Sequence, residues 1–371
     1  MAAEMVTIPD FLRNWPWKRE INANYETAKA AAEAWVHTFN FFDSKSQNAF
    51  DRCELSKLSS LTYPYFDQAQ LRAACELMTL FYLFDEYTDV SAPAATRALA
   101  DVVMDALRNP STPRPEGEFP LAELARQYWA NTLPLASPMA RRHLIDTFQA
   151  YVDSVVQQAE DRAGDRVRSV EEYWPVRRHT GGCLPSFALM ELELDFGEEV
   201  YGHPLVVRLR EIAMDSICAT NDVYSYNVER ARGHALHNLV TLIMHEKDIG
   251  PQAAVRYIGE WHDGIVAEFL ACHEELKKVS PQWGAEVDRQ VQFYVHGMGC
   301  WVRGSDNWHF EGQRHMGKDG LRIQRERVLA MMPRVEALLA REGDVALREL
   351  MEKNEVAGIQ IETKPVRCLV A

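Results

Sequence analysis

Met78-Thr79-Leu80-Phe81-Tyr82-Leu83-Phe84-Asp85-Glu86-Tyr87-Thr88-Asp89-Val90 decides how this chain is read. An apolar run ends abruptly in three carboxylates. As a helix it sets Asp85 and Asp89 at i and i+4 on one face, with Phe81 and Met78 one and two turns deeper. Like charges at that spacing repel, so the helix gains nothing from them unless a cation lies between them. Hard divalent cations such as Mg2+ take oxygen ligands and share them with substrate phosphates. The stretch therefore points to a metal–diphosphate site at the mouth of an apolar pocket. The plainer reading is a helix that ends in a solvated acidic turn.

A second stretch favours the first reading. In Asn221-Asp222-Val223-Tyr224-Ser225-Tyr226-Asn227-Val228-Glu229, the residues Asn221, Ser225 and Glu229 fall at i, i+4 and i+8. On a helix their oxygens form a ladder with a step of roughly 6 Å. An amide, a hydroxyl and a carboxylate in one row suit a single Mg2+ that also takes phosphate oxygens. The alternative is a polar stripe on an exposed helix. The flank argues against exposure, because Ile212, Ala213, Met214, Ile217, Cys218 and Ala219 make the preceding turns almost wholly apolar. A polar ladder in a buried helix needs partners.

Together these stretches resemble the class I terpene cyclases. Asp85-Glu86-Tyr87-Thr88-Asp89 looks like that family's aspartate-rich motif, with Glu86 where a second aspartate is common. Asn221 to Glu229 matches its second metal motif, Asn-Asp-x-x-Ser-x-x-x-Glu, at each defining position. Arg177-Arg178-His179-Thr180-Gly181-Gly182 resembles the diphosphate-sensing segment. Trp308-His309-Phe310-Glu311-Gly312-Gln313-Arg314-His315 resembles the C-terminal diphosphate-binding segment. The resemblance runs over roughly residues 5 to 345 and points to fungal sesquiterpene synthases.

The resemblance implies a role for each residue. Asp85 bridges two of three Mg2+ ions and Asp89 helps indirectly, while Asn221, Ser225 and Glu229 hold the third. Arg178 senses the diphosphate, with Arg177 as the alternative sensor, and Gly182 moves at the helix break. Arg314 clamps the diphosphate. His315 stands where such families usually place a tyrosine and is a further substrate contact. Phe81 and Trp308 lead the candidates for an aromatic wall that stabilises a carbocation, ahead of Phe84 and Phe310. For each of the four, ordinary core packing is the rival reading. Arg230, just past the second motif, reads as a solvated arginine. The implied substrate is farnesyl diphosphate. Similarity in Asn14-Trp15-Pro16-Trp17 and around Asp85 to Val90 points to the group that joins C1 to C11 through a humulyl cation, as in protoilludene formation.

Composition agrees. The chain has 371 residues, 47% of them hydrophobic, and a net charge of −14. Such acidity argues against nucleic acid, which calls for basic patches. It leaves an anionic substrate to be held by metal and a few placed arginines rather than by the overall field. No apolar run approaches the roughly 18 residues of a membrane span, so no stable membrane insertion is expected. Residues 1–20 carry no signal-peptide core and read as a segment placed to cap the site. Seven scattered cysteines, odd in number, read as core residues in a reducing compartment, hence a cytoplasmic protein. Cys368-Leu369-Val370-Ala371 fits the prenylation pattern, but no polybasic stretch supports it, and residues 346–371 read as a flexible tail. A homodimer is left open.

Helix is expected almost throughout, with no convincing strand and no internal repeat. The expected helices are 25–39 with Asn24 as cap, one from an Asp67 cap to Asp89, 96–108, 137–160, and one opening on the Ser169/Glu172 capping box. That last helix breaks at Gly181-Gly182 and resumes over 186–194. Helices over 204–231, 251–278, 282–303 and 319–341 follow, with Ser280-Pro281 capping the one from 282. The expectation is one all-α domain, and the resemblance implies antiparallel helices around a central apolar cavity. A chain-elongating prenyltransferase of the same fold would want a second aspartate-rich motif in place of the Asn-Ser-Glu ladder. A di-metal oxidase bundle would want Glu-x-x-His pairs, and none is present. A non-catalytic helical scaffold would leave both ladders and the arginines unexplained.

Overall fold

The computed structural model describes residues 4–279 and 282–333. A short strand β1 (Met5–Thr7) is followed by α1 (Tyr25–His37), α2 (Ser44–Asp51), α3 (Leu55–Thr62), α4 (Gln68–Thr88), α5 (Pro93–Arg108), α6 (Pro120–Thr132) and α7 (Pro138–Ala163). Then come α8 (Val170–Thr180), α9 (Cys183–Leu189), α10 (Glu198–Tyr201), α11 (Pro204–Arg232), α12 (Leu239–Lys247), α13 (Pro251–Val279), α14 (Ala285–Glu311), α15 (Gly320–Glu326) and β2 (Val328–Ala330). The all-α architecture is as expected: α3, α4, α7, α8, α9, α11 and α14 surround one cavity, with α5, α6 and α13 packed outside.

Local chemistry explains the long helices. Asp67 accepts from the Gln70 amide while the Gln70 side chain returns to the Asp67 amide, a complete capping box. From there α4 is apolar around most of its girth, as befits a central helix. Ser137 caps α7 with Pro138 behind it, and the Ser169/Glu172 box starts α8. Asn24 does not cap α1, because its side chain turns to the Phe66 carbonyl at 3.4 Å. The break between α8 and α9 falls at Gly181–Gly182, and Gly182 takes φ +65°, a left-handed conformation suited to glycine.

Several boundaries differ from expectation. The helix expected over 282–303 runs from Ala285 to Glu311, so Trp308 is helical. Gly304 does not stop it but serves close packing: a Cβ there would stand 2.5 Å from the Leu61 carbonyl oxygen on α3. The helix expected over 186–194 is the shorter α9. The one expected from 319 ends at Glu326, where Arg327 turns left-handed at φ 55°. Residues 334–341, the Ser280-Pro281 cap, the tail 346–371 and Cys368 lie outside the described residues.

The two strands correct the expectation of none. Met5, Val6 and Thr7 pair antiparallel with Ala330, Leu329 and Val328. Three-residue strands carry too little alternation to be seen in a sequence. The N-terminal segment continues across the outside of the bundle. The Trp15 indole donates to the Gly299 carbonyl at 3.0 Å, the Trp17 indole to His296 Nδ1 at 3.0 Å, and Arg303 to the Trp17 carbonyl at 2.8 Å. None of its described residues lines the cavity, so in this structure it straps α13 and α14 rather than capping the site.

The α3–α14 contact yields a first prediction. Gly304→Ala should destabilise the fold by about 1–3 kcal/mol, the usual range for overpacking a tight interior, because Leu61 backbone cannot yield as a side chain would. Thermal unfolding checks it, and an unchanged midpoint would show that the helices separate at no cost.

Candidate active site

The two polar ladders line one cavity of about 280 Å³. Leu58, Met78, Phe81, Ile217 and Trp301 give it apolar wall, and Asp85, Asp89, Asn221, Ser225 and Glu229 give it polar wall. The volume lies near the lower bound of roughly 300–1,000 Å³ for small-molecule pockets. Helical spacing on α4 and α11 is what gathers these oxygens: each helix presents one face, and the bundle turns the two faces toward each other.

Asp85 accepts a hydrogen bond from Tyr151 Oη on α7 at 2.8 Å. Burial, and then the charge of Asp89, push its pKa up to about 7. Glu229 accepts from Asn238 Nδ2 at 2.9 Å, and burial, then Asp222, push its pKa up to about 7. Each shift is one that a nearby cation would reverse. Ser225 Oγ is buried beside the Glu229 carboxylate, and its hydrogen bonding is among the contacts that oppose the upward shift of Glu229. Among the described residues, no three carboxylate, imidazole or thiolate groups converge into a cation cage. The donor set is instead oxygen-rich, mixed and incomplete. That suits Mg2+, which completes its shell from water and phosphate oxygens.

The two adjacent arginines part company. Arg177 lines the cavity, donating from Nη2 to Asn221 Oδ1 and to Asp222 Oδ1, each at 2.8 Å. Arg178, the expected sensor, points away and forms a bidentate pair with Asp215 at 2.7 and 2.9 Å. Arg314 lines the cavity beside the aspartate-rich turn, 3.2 Å from Glu86 Oε1, with its guanidinium 4.6 Å from the centre of the Tyr82 ring. Arg230 donates to the Met332 carbonyl at 3.2 Å and does not line the cavity.

Phe81 and Trp308 both line the cavity; Phe84 and Phe310 belong to the surrounding core. Phe81 stacks on Phe148 at 5.4 Å and lies against Gly182, where a Cβ would come within 3.7 Å of its ring. The Trp308 indole is anchored by the Cys53 carbonyl at 2.8 Å. His315 also lines the cavity, its Nδ1 2.8 Å from His309 Nδ1. Burial holds both imidazoles below their ordinary range, His309 down to about 3. Both are therefore neutral, and His315 brings no full charge to the site.

Sequence reading missed Tyr151, Arg162, Arg232 and His234. Arg162 lines the mouth and caps the end of α4, donating to the Thr88 carbonyl at 2.8 Å and the Ser91 carbonyl at 3.1 Å. Arg232 and His234 follow the second motif and could have been suspected from that position alone. Tyr151 carries no such signal, because only tertiary packing brings α7 to Asp85.

The bundle is the one seen in solved terpene synthases: it matches the crystal structure of α-eudesmol synthase with a TM-score of 0.71 over 80% of this chain and 97% of that chain, at 20% identity. That likeness concerns the fold. Residues 76–268, which span both acidic motifs, match the model for terpene synthase family 2, C-terminal metal binding. A Δ6-protoilludene synthase of Stereum hirsutum is 46% identical over 336 residues, 90% of each chain. Another, of Armillaria gallica, is 43% identical over 90% of this chain and 95% of its own. The chain belongs to the terpene synthase family.

The Tyr151–Asp85 bond generates a prediction. Tyr151→Phe keeps the ring and removes the donor that orients Asp85. The Mg2+ concentration needed for half-maximal turnover should rise, or turnover fall, about 10- to 100-fold, as for other residues that orient a metal ligand. A Mg2+ titration of turnover reads it, and a wild-type curve would show that Asp85 needs no such support.

Proposed function

We propose that this chain is a Mg2+-dependent sesquiterpene synthase that ionises farnesyl diphosphate, cyclises the resulting cation and releases diphosphate. The observation that carries the reading is that the Asp85/Asp89 turn and the Asn221–Ser225–Glu229 ladder line one cavity, whose wall also carries Met78, Phe81, Ile217 and Trp308. Two relatives over 40% identical bear the name Δ6-protoilludene synthase, which supports 1,11-closure through a humulyl cation to a protoilludene-type product. We read residues 1–371 as one catalytic unit. The six described cysteines are all free, which supports a cytoplasmic setting.

In this reading Asp85 and Asp89 would hold Mg2+ together with the diphosphate, and Asn221, Ser225 and Glu229 would hold a further ion, three in all. Bound Mg2+ would supply Lewis-acid stabilisation of the charge that develops on the leaving group. Arg314 and Arg177 bind the diphosphate, their planar donor forks matching phosphate oxygens. As the C1–O bond breaks, its electron pair leaves with the diphosphate and an allylic cation remains. Phe81 and Trp308 turn ring faces or edges to the cavity, offering quadrupole stabilisation without a nucleophile. The aliphatic wall of Met78 and Ile217 excludes water that would quench the cation. Joining C1 to C11, closing the further rings of a protoilludene skeleton and losing a proton to the released diphosphate complete a neutral C15 hydrocarbon.

Incubation with farnesyl diphosphate and Mg2+, followed by gas chromatography–mass spectrometry, tests this reading, with a C15 hydrocarbon of protoilludene type as the expected product. Chelation of Mg2+ should abolish turnover, and Asp85→Ala or Asn221→Ala should nearly do so. Full activity of Asn221→Ala in chelator would sink the proposal. Arg314→Ala should lower kcat/KM about 100-fold or more, the loss typical of one strong preorganised donor. His315→Ala should cost less and His315→Tyr should be tolerated. A His315→Ala defect larger than that of Arg314→Ala would mean that the imidazole does more than donate a neutral N–H.

A further inference from the structure

Arg177 occupies an unusual place for a residue that must bind an anion. Its Nη2 donates to Asn221 Oδ1, the ladder's first oxygen, at 2.8 Å. The same nitrogen and Nε bond Asp222 Oδ1 at 2.8 and 3.1 Å. Asp222 is 2% exposed and is also held by the Tyr173 hydroxyl and, at 2.7 Å, by the Leu239 amide. The guanidinium is thereby fixed against the atom that the proposed function assigns to a cation. A divalent ion on Asn221 would stand beside a fixed positive charge in a largely buried setting, where like charges are poorly screened.

We infer that Arg177 gates the cation site of the Asn221–Ser225–Glu229 ladder, holding Asn221 until a diphosphate group draws it away. The inference rests on the proposed reading of Asn221 as a cation ligand and deepens it. Arg177 lines the cavity, so a diphosphate can reach it; a diphosphate carries more charge than Asp222 and accepts the same planar fork. Removing the guanidinium from Asn221 then opens one of its lone-pair directions and lifts the repulsion together. By linkage, a cation on the ladder must favour diphosphate by the same factor.

The position of Arg177 extends the effect. It lies in the last turn of α8, and its carbonyl accepts from the Gly181 amide at 2.9 Å and from Cys218 Sγ at 3.7 Å. Gly181 packs so tightly on α11 that a Cβ would stand 2.7 Å from Cys218 Sγ. A shift of Arg177 therefore reaches both the helix break and the helix that carries the ladder. Arg178, tied to Asp215 outside the cavity, is not placed to do this.

Mn2+ binding followed by electron paramagnetic resonance tests the gate without relying on turnover. The combined substitution Arg177→Gln and Asp222→Asn removes the guanidinium and its counter-charge together, leaving the site's formal charge unchanged. Without pyrophosphate, this variant should bind Mn2+ about 10-fold more tightly or better than wild type, within the ordinary range of site-to-site coupling. Adding Glu229→Gln should remove the gain. Unchanged affinity, or a gain that survives Glu229→Gln, overturns the inference. Wild-type protein gives a second reading by hydrogen exchange. Mn2+ alone should leave residues 177–182 unchanged, and Mn2+ with inorganic pyrophosphate should alter them; a full response to Mn2+ alone also overturns it. Turnover of farnesyl diphosphate by wild type is measured alongside. Its absence would refute the proposed function, whereas normal turnover with a failed Mn2+ result refutes only the gate.

Discussion

Burial of several carboxylates along one cavity is the constraint on which the rest of the structure turns. Asp85, Asp89, Glu86, Asp222 and Glu229 lie on two helices that face each other, and each would be costly to bury charged and alone. The protein limits that cost in a different way for four of them. Tyr151 donates to Asp85, Arg314 pairs with Glu86, Arg177 with Asp222, and Asn238 donates to Glu229. What these partners leave is a raised pKa on Asp85, on Asp89 and on Glu229. The residual imbalance is the affinity for cations. A chain with a net charge of −14 has no long-range field to attract a diphosphate, so the cations and the arginines that line the cavity must supply it.

Holding such an arrangement requires a scaffold with little freedom. The close contacts are made through glycine: Gly304 on the Leu61 backbone, Gly299 under the Trp17 ring, Gly181 against Cys218. The N-terminal strap and β2 then tie the segment that follows Arg314 back to α11, through Asn227 and the Ala330 carbonyl at 3.1 Å and through Arg230 and Met332. The helix that bears the Asn-Ser-Glu ladder inside the cavity is thus gripped outside by the strand that ends the clamp segment. Arg230 belongs to this outer grip, which is why its proximity to the ladder in sequence has no counterpart in the site.

What could be read from the sequence followed from periodicity. The i, i+4 and i+8 spacing on α4 and α11 gives the ladders their faces whatever the tertiary structure, and capping boxes at Asp67 and Ser169 mark helix starts by local bonds alone. What could not be read needed contacts between distant elements. The phase of α8 decides between Arg177 and Arg178, and adjacent residues on a helix point about 100° apart, so the choice depends on how α8 docks on α11. Why the helix expected over 282–303 runs on through Gly304 is plain only once α3 is placed beside it. Tyr151 is one tyrosine among thirteen until α7 brings it to Asp85.

His315 shows how a substitution in a family pattern can preserve its physics. A tyrosine there would present a neutral hydroxyl donor. An imidazole near Arg314 could instead have added a titrating charge, and burial together with the paired His309 prevents that. In the His309–His315 pair one Nδ1 must carry the hydrogen and the other must accept it. If His309 donates, His315 keeps its hydrogen on Nε2 and offers a donor; if His315 donates, its Nε2 is a bare acceptor. A diphosphate in the cavity would select the first arrangement, since an anion accepts and does not donate. The pair therefore reproduces the neutral donor of a tyrosine, with a tautomer set by the ligand instead of a fixed hydroxyl, and leaves Arg314 as the clamp's charge.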